Sequence, residues 1–240
     1  MKNFGFKKLM VFIVLSAAVA LAYQLPYLRY TFYDQMTAAF GLNDTQMGLL
    51  ATAVSLTSTI CYPIGGFFAD RFSMKKLICV SFAAFVVLSA MFAFTTNFAL
   101  LMVIHILFGF FGIATLWSAY LTGLRGLGDE DTQSRLFGSS EATRGIIQTL
   151  TAFVFLALMN AAVTPVAGFR AVMIAGTVIC VVFLVLAIIF LPEEKKERDI
   201  AGESAEEEKF SIKDVLTNKG VWITIWVVCC AYVAWTLGNG

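Results

Sequence analysis

The sequence predicts an all-α membrane protein with six complete spans and the start of a seventh. Three observations carry this reading. Of 240 residues, 59% are hydrophobic and 14% are charged, whereas soluble domains carry roughly 25% charged residues. The apolar residues fall in blocks long enough to cross a bilayer, because a helix needs about 20 of them for a hydrocarbon core of about 30 Å. The cationic residues gather in alternate connections between those blocks, the asymmetry that orients a polytopic chain. Helices are the form a single span must take, since every backbone polar group in lipid has to be bonded internally.

The first block is Leu9–Phe40. Its beginning has features of a secretory signal: Lys7 and Lys8, an apolar run, and small residues at Ala18, Ala20 and Ala22. The apolar character continues past Tyr23 toward Phe40, so the segment reads as a retained span and one long or tilted helix. Further spans follow at Gln46–Ala69, Leu77–Phe94, Phe98–Leu124, Leu136–Ala162 and Phe169–Leu191. Another begins near Val221 and reaches Gly240 as a truncated seventh helix. Residues 1–192 thus form a six-helix transmembrane domain. Residues 193–219 form a cytoplasmic linker of mixed charge, too polar to bury a core, with a short amphipathic helix expected over Phe210–Leu216. Residues 220–240 start the seventh span.

An N-terminus in the cytoplasm places Lys2, Lys7 and Lys8 inside, with Arg71, Lys75 and Lys76, then Arg125 and Arg135, then the lysines of the linker. The outer connections hold Asp34 and Asp44, the uncharged Thr95-Thr96-Asn97 turn, and Arg170. The opposite orientation would translocate nearly every cationic loop. The five cysteines, Cys61, Cys79, Cys180, Cys229 and Cys230, lie within apolar spans, without disulfide or zinc spacing. No nucleophile–base arrangement, metal cluster, cofactor loop or nucleic-acid motif is present, so neither an enzyme nor a nucleic-acid partner is expected. The partners expected are the lipid bilayer and a small solute.

The connection between the second and third spans is Gly66-x-x-x-Asp70-Arg71-x-Ser73-x-Lys75-Lys76. It resembles the signature between helices two and three of the major facilitator superfamily, which usually has Gly at the position of Ser73. His105-x-x-x-Gly109 in span four is similar to the family's Arg-x-x-x-Gly motif, with His in place of Arg. The resemblance implies a bundle of the major facilitator type, with this chain supplying the N-terminal half and the start of the second. It also implies solute binding near mid-membrane between two helical halves that rock to expose the site alternately. In that scheme Gly66, Asp70, Arg71, Lys75 and Lys76 form a gating motif, with Asp70 contacting the missing C-terminal half when the inner side is closed. The alternative is that Arg71, Lys75 and Lys76 only anchor the topology.

Two subgroup resemblances sharpen this. Tyr27-Leu28-Arg29, followed by apolar helix and then Gln46-Met47-Gly48, is similar to the organophosphate:phosphate antiporters, where an arginine of helix one binds the anion. Arg135-Leu-Phe-Gly138-x-x-Glu141-Ala-x-Arg144-Gly145 resembles YihN-like bacterial carriers. Span five lacks the Gly-Pro-x-x-Gly-Gly element of many drug–proton antiporters.

Several residues carry chemistry. Arg29 lies in the outer half of the first span, either snorkelling to the surface or clamping an anion with its fork of donors. Tyr23, Tyr27, Tyr30 and Asp34 recur at helical spacing and make one polar-aromatic stripe, with Gln24 beside it. That stripe either lines a wet path or packs against neighbours. Glu141 and Arg144, three apart, share a helix face. Ionisable groups at such depth face a cavity or a partner, so the two either neutralise each other or give a substrate contact with a counter-charge or proton site. Gln148 is one turn further on, and Thr143 and Thr149 add hydroxyls. Trp117, Ser118 and Tyr120 either wall the cavity or, for Trp117, anchor at the interface. His105 either packs or switches protonation. Gly65, Gly66, Gly109, Gly112 and Gly123 allow close helix approach, for packing or for sliding.

The expected function is secondary active transport of a small polar solute, an organic anion or sugar derivative, driven by a proton or by counter-anion exchange. The site residues are Arg29, Tyr23, Tyr27, Tyr30, Trp117, Glu141, Arg144 and Gln148, and no cofactor or metal is expected. The alternatives are a drug or metabolite efflux antiporter, or a non-transporting half-transporter subunit. The expected location is the bacterial inner membrane.

Overall fold

The computed structural model describes residues 5–193 and 217–239. Among these residues the structure is helical with no strand, and six helices are long and apolar enough to cross a membrane. The chain divides into two units, Met1–Lys195 and Lys196–Gly240. Residues 194–216 of the expected linker, with the Phe210–Leu216 helix, lie outside the described residues.

The first expected span is not one continuous helix. Helix α1 (Phe6–Gln24) ends before Pro26, a 3-10 turn forms at Leu28–Tyr30, and a separate helix α2 (Tyr33–Phe40) follows. Pro26 has no N–H to give the carbonyl one turn back, so the ladder stops there. Tyr27 (φ −109°, ψ 15°) and Phe32 (φ −129°, ψ 44°) then leave helical geometry. Gly41 closes α2 in the left-handed region at φ 64°, where a Cβ would be strained. Asn43 then starts α3 (Asp44–Arg71) with a capping box: its side chain accepts from the Gln46 N–H at 2.9 Å, and the Gln46 side chain accepts from the Asn43 N–H at 3.0 Å.

Helix α4 (Met74–Phe94) crosses back. Asn97 accepts from the N–H groups of Ala99 and Leu100 and so caps α5 (Phe98–Phe110). Helix α5 runs into a π-helical segment, Phe111–Trp117, and then α6 (Ser118–Arg125), so span four is one rod with a widened middle. Helix α7 is Gln133–Ala161. Helix α8 (Pro165–Phe190) begins with the Thr164 side chain accepting from the Ala167 N–H and with proline where no donor is needed.

Packing follows the small residues. A Cβ on Gly109 would sit 2.8 Å from the Val54 carbonyl oxygen, and one on Gly65 3.1 Å from that of Ile113. Their absence lets α3 lie against α5 and the π segment. Helices α4 and α8 join through stacked Phe82 and Phe183 rings, centroids 6.1 Å apart, and a 2.8 Å hydroxyl bond between Ser89 and Thr177. Leu25 fills the notch at Gly176. Among the six candidate spans, α7 is the least covered: 11% of its apolar stretch is buried, against 56% in span four. Much of α7 therefore faces away from this bundle. The second unit holds α9 (Lys219–Asn239).

Candidate functional site

Arg144 lies about 16 Å along α7 from its first residue, about half the thickness of a bilayer core. Its Nη1 donates to Glu141 Oε1 at 2.5 Å, the one ion pair among the described residues. The pair is asymmetric: the arginine side chain is 14% exposed and the glutamate side chain 57%. The guanidinium carbon lies 5.2 Å from the Trp117 ring centroid, 5.9 Å from that of Tyr120 and 6.0 Å from that of Tyr23. Three electron-rich rings thus hold the cation from the protein side, while its carboxylate partner reaches outward.

Each ring is itself fixed. The Tyr23 hydroxyl donates to the Gly112 carbonyl in the π segment at 3.1 Å. Tyr120 is fully buried and shares a 2.7 Å hydroxyl bond with Ser140, which bonds Ser16 at 2.7 Å. This chain of hydroxyls ties α6, α7 and α1 one layer beneath the arginine. Trp117 ends the π segment and leans on both tyrosines, at 5.7 Å from Tyr23 and 5.3 Å from Tyr120. Above Arg144, Gln24 Nε2 donates to the Gln148 carbonyl at 3.2 Å, and Gln148 Nε2 returns a bond to the Ala20 carbonyl at 3.4 Å.

Of the sequence-predicted site residues, Tyr23, Trp117, Glu141, Arg144 and Gln148 come together here, and Trp117 sits in the cluster. Arg29 does not join them. It lies in the 3-10 turn, with Nη1 donating to the Met47 carbonyl at 3.0 Å and its guanidinium carbon 4.7 Å from the Tyr30 ring centroid. The helical stripe expected through Tyr23, Tyr27, Tyr30 and Asp34 is broken with the helix, because Pro26 ends α1. The rings nevertheless stack: Tyr23 on Tyr27 at 6.5 Å, and Tyr27 on Tyr30 at 6.1 Å. Arg29 and Arg144 therefore bracket a ladder of three tyrosines. Asp34 leaves that ladder and sits in the first turn of α2. Ser16 and Ser140 were not among the sequence candidates; their one signal is a hydroxyl in an otherwise apolar stretch of α1 and a serine beside Glu141.

His105 is buried, with Nδ1 2.8 Å from the Leu101 carbonyl and its ring edge-on to Phe92 at 5.2 Å. It packs in the aromatic core away from Arg144. Between α2 and α3 the Tyr33 hydroxyl donates to Asp44 at 2.8 Å. That bond, ahead of other effects, holds the Tyr33 phenol above its ordinary value, so it stays a neutral donor.

The hinge places charges against local preference. Asp70 is in the last turn of α3, where the helix dipole disfavours a carboxylate, and Lys75 and Lys76 are in the first turn of α4, where it disfavours cations. Among the described residues Asp70 has no ion pair. Arg71 lies 4.3 Å from the Phe67 ring centroid. Ser73 has ordinary extended geometry (φ −66°, ψ 144°), so replacing the family's glycine there imposes no strain. Replacing Asp70 with asparagine is expected to leave thermal stability unchanged or raise it by about 0.5 kcal/mol, read by denaturation of the detergent-purified chain. A clear fall would mean that Asp70 already has a stabilising partner.

A model of the Major Facilitator Superfamily matches residues 9–239. The inner membrane protein YqcE of Escherichia coli (strain K12) is 24% identical over 217 residues, covering 90% of this chain and 51% of YqcE. The inner membrane protein YihN of the same strain is 26% identical over 232 residues, covering 95% of this chain and 55% of YihN. The quinolone resistance protein NorA of Staphylococcus aureus is 38% identical over 69 residues, 29% of this chain and 18% of NorA. The chain spans about half the length of YqcE and YihN.

Proposed function

Because this chain belongs to the Major Facilitator Superfamily, we propose that it forms the N-terminal half-bundle of a secondary transporter for a small organic anion, with Arg144 as the anion-holding group. Members of the family are transporters rather than enzymes, and this chain is a multi-pass protein of the inner membrane. The observation that carries the substrate class is the asymmetric ion pair. A guanidinium held in an aromatic cage has one carboxylate partner, and that partner is largely exposed. A mobile anion can displace Glu141 and take its place on the planar fork of donors. Glu141 then becomes a displaced carboxylate at membrane depth. It is the one acidic residue in the interior of a described span, which makes it the natural proton site if coupling uses protons; otherwise a counter-anion takes its turn on Arg144.

The remaining half of the passage comes from the missing half of the same transporter, seated on the uncovered faces of α3 and α7. Gly66, Gly138 and Gly145 have nothing within 4 Å of a built Cβ. Thr52, Thr59 and Thr149 on those faces bond back to their own helices, so they suit either a wet path or a second bundle. Asp70 of the gating motif finds its partner on that half. Arg29 and the tyrosine ladder form the outer approach to the cage, and Glu141, Arg144, Trp117, Tyr23 and Gln148 form its floor.

The test is a titration of organic anions against the thermal stability of the detergent-purified chain. Wild type is expected to be stabilised by anions and not by matched neutral solutes. Glu141→Gln removes the competing carboxylate and is expected to bind anions several-fold more tightly. Weaker binding by that variant would sink the displacement scheme. A second reading is efflux of an amphipathic compound. The 69-residue match to NorA favours it, and the missing Gly-Pro element of span five opposes it. Raised quinolone resistance in a pump-deficient strain expressing the protein would decide for efflux.

A further inference from the structure

We propose, resting on the anion reading above, that the solute carries a hydroxyl group beside its charged end, and that Gln24 is the residue that recognises this hydroxyl. Four buried side-chain polar atoms lack a hydrogen-bond partner among the described residues, and two of them, Arg144 Nε and Gln24 Oε1, belong to this one cluster. The Gln24 amide cannot turn over to relieve the orphan. The Gln148 carbonyl only accepts, so it fixes the Nε2 end at 3.2 Å and leaves Oε1 as the free end. Gln148 is one turn beyond Arg144, about 6 Å along the axis. The return bond from Gln148 to the Ala20 carbonyl locks α1 to α7 at the same level.

Arg144 offers an unpaired donor, and Gln24, tied to Gln148 one turn beyond it, an unpaired acceptor; the two are complementary to a solute that carries an acceptor and a donor side by side. A bare carboxylate only accepts, so it can serve Arg144 and leaves Gln24 Oε1 unpaired. A hydroxyl adjacent to the anionic group can donate to Oε1. The site therefore fits hydroxy acids, sugar acids and sugar phosphates better than alkyl or aryl anions. Sites that hydrogen-bond a solute hydroxyl discriminate strongly against the analogue that lacks it, because a buried polar group is then left unmet.

The experiment uses the full chain in detergent and matched probe pairs: gluconate with 2-deoxygluconate, and lactate with propionate. Wild type is expected to bind the hydroxylated member at least about tenfold more tightly. Gln24→Leu is expected to bind both members of each pair equally while still binding anions. Because that variant also breaks the amide clasp between α1 and α7, Ser16→Ala is the control. It removes another α1–α7 tie, the 2.7 Å hydroxyl bond to Ser140, leaves the Gln24 amide in place, and is expected to keep the hydroxyl preference. Equal binding of each pair by wild type, or a preference retained in Gln24→Leu, overturns the proposal and leaves the anion reading standing. A preference lost equally in both variants shows that Gln24 acts only by packing, which also overturns it. If no anion binds to wild type, the anion reading itself fails and takes this inference with it.

Discussion

Replacing Arg144 with glutamine is expected to weaken anion binding by at least about 100-fold. Truncating one side of a partly buried charged contact typically costs about 2–5 kcal/mol. Arg144→Lys is expected to rescue little of this, since an ammonium is a point charge that cannot lie flat among Trp117, Tyr120 and Tyr23 or present two parallel donors. Neither change should disturb insertion or helix content, because the ion partner lost is the exposed Glu141. The check is an anion titration alongside far-ultraviolet circular dichroism. A glutamine variant with normal fold and normal binding would remove Arg144 from the site.

The largest effect on stability is expected at Gly109. A methyl group there would lie 2.8 Å from the Val54 carbonyl oxygen and 3.1 Å from Thr57 Cβ, and backbone cannot step aside as a flexible side chain can. Gly109→Ala should push α5 off α3 and cost about 3 kcal/mol, at the upper end of ordinary overpacking. Gly66→Ala on α3 is the contrasting case. Its Cβ meets nothing within 4 Å, and alanine is the better helix former by about 1 kcal/mol, so the chain should become no less stable. Thermal denaturation of the two variants side by side checks the pair. Equal stabilities would mean that the α3–α5 contact is not close.

Much of the six-rod bundle was legible because bilayer thickness and backbone bonding leave few alternatives. The turn at Thr95-Thr96-Asn97 follows from composition and local rules. The break after Gln24 was not read, because hydropathy continues through it and hydropathy does not report chain direction. Proline alone does not mark such a break: Pro63 sits inside α3 without ending it. Arg29 is drawn to the Met47 carbonyl at the start of α3, whereas the helix around Pro63 is clamped along span four at Gly65. The π segment had no signal in local propensity. It sets where Trp117 and the Gly112 carbonyl point, and so contributes to the Arg144 cage.

The site was legible in part for the same reasons. Helical spacing put Glu141, Arg144 and Gln148 on one face, and α7 bears that out as a continuous helix. Spacing could not say that Tyr120 and Trp117 of span four would close on Arg144, because that contact joins distant parts of the chain. Nor could it separate the two arginines. Arg29 and Arg144 look equivalent in sequence, each a cation near aromatics, and only the ring ladder between them shows that they occupy different levels.

The most direct test of a solute passage at Arg144 is aqueous access to its neighbour. Glu141 is replaced by cysteine in a background where the five native cysteines are alanine, and the membrane-embedded protein is treated with a charged, membrane-impermeant thiol reagent. Labelling that is slowed by added organic anion is the expected result. Failure to label from either side of the membrane, or labelling at the same rate with and without anion, would contradict it.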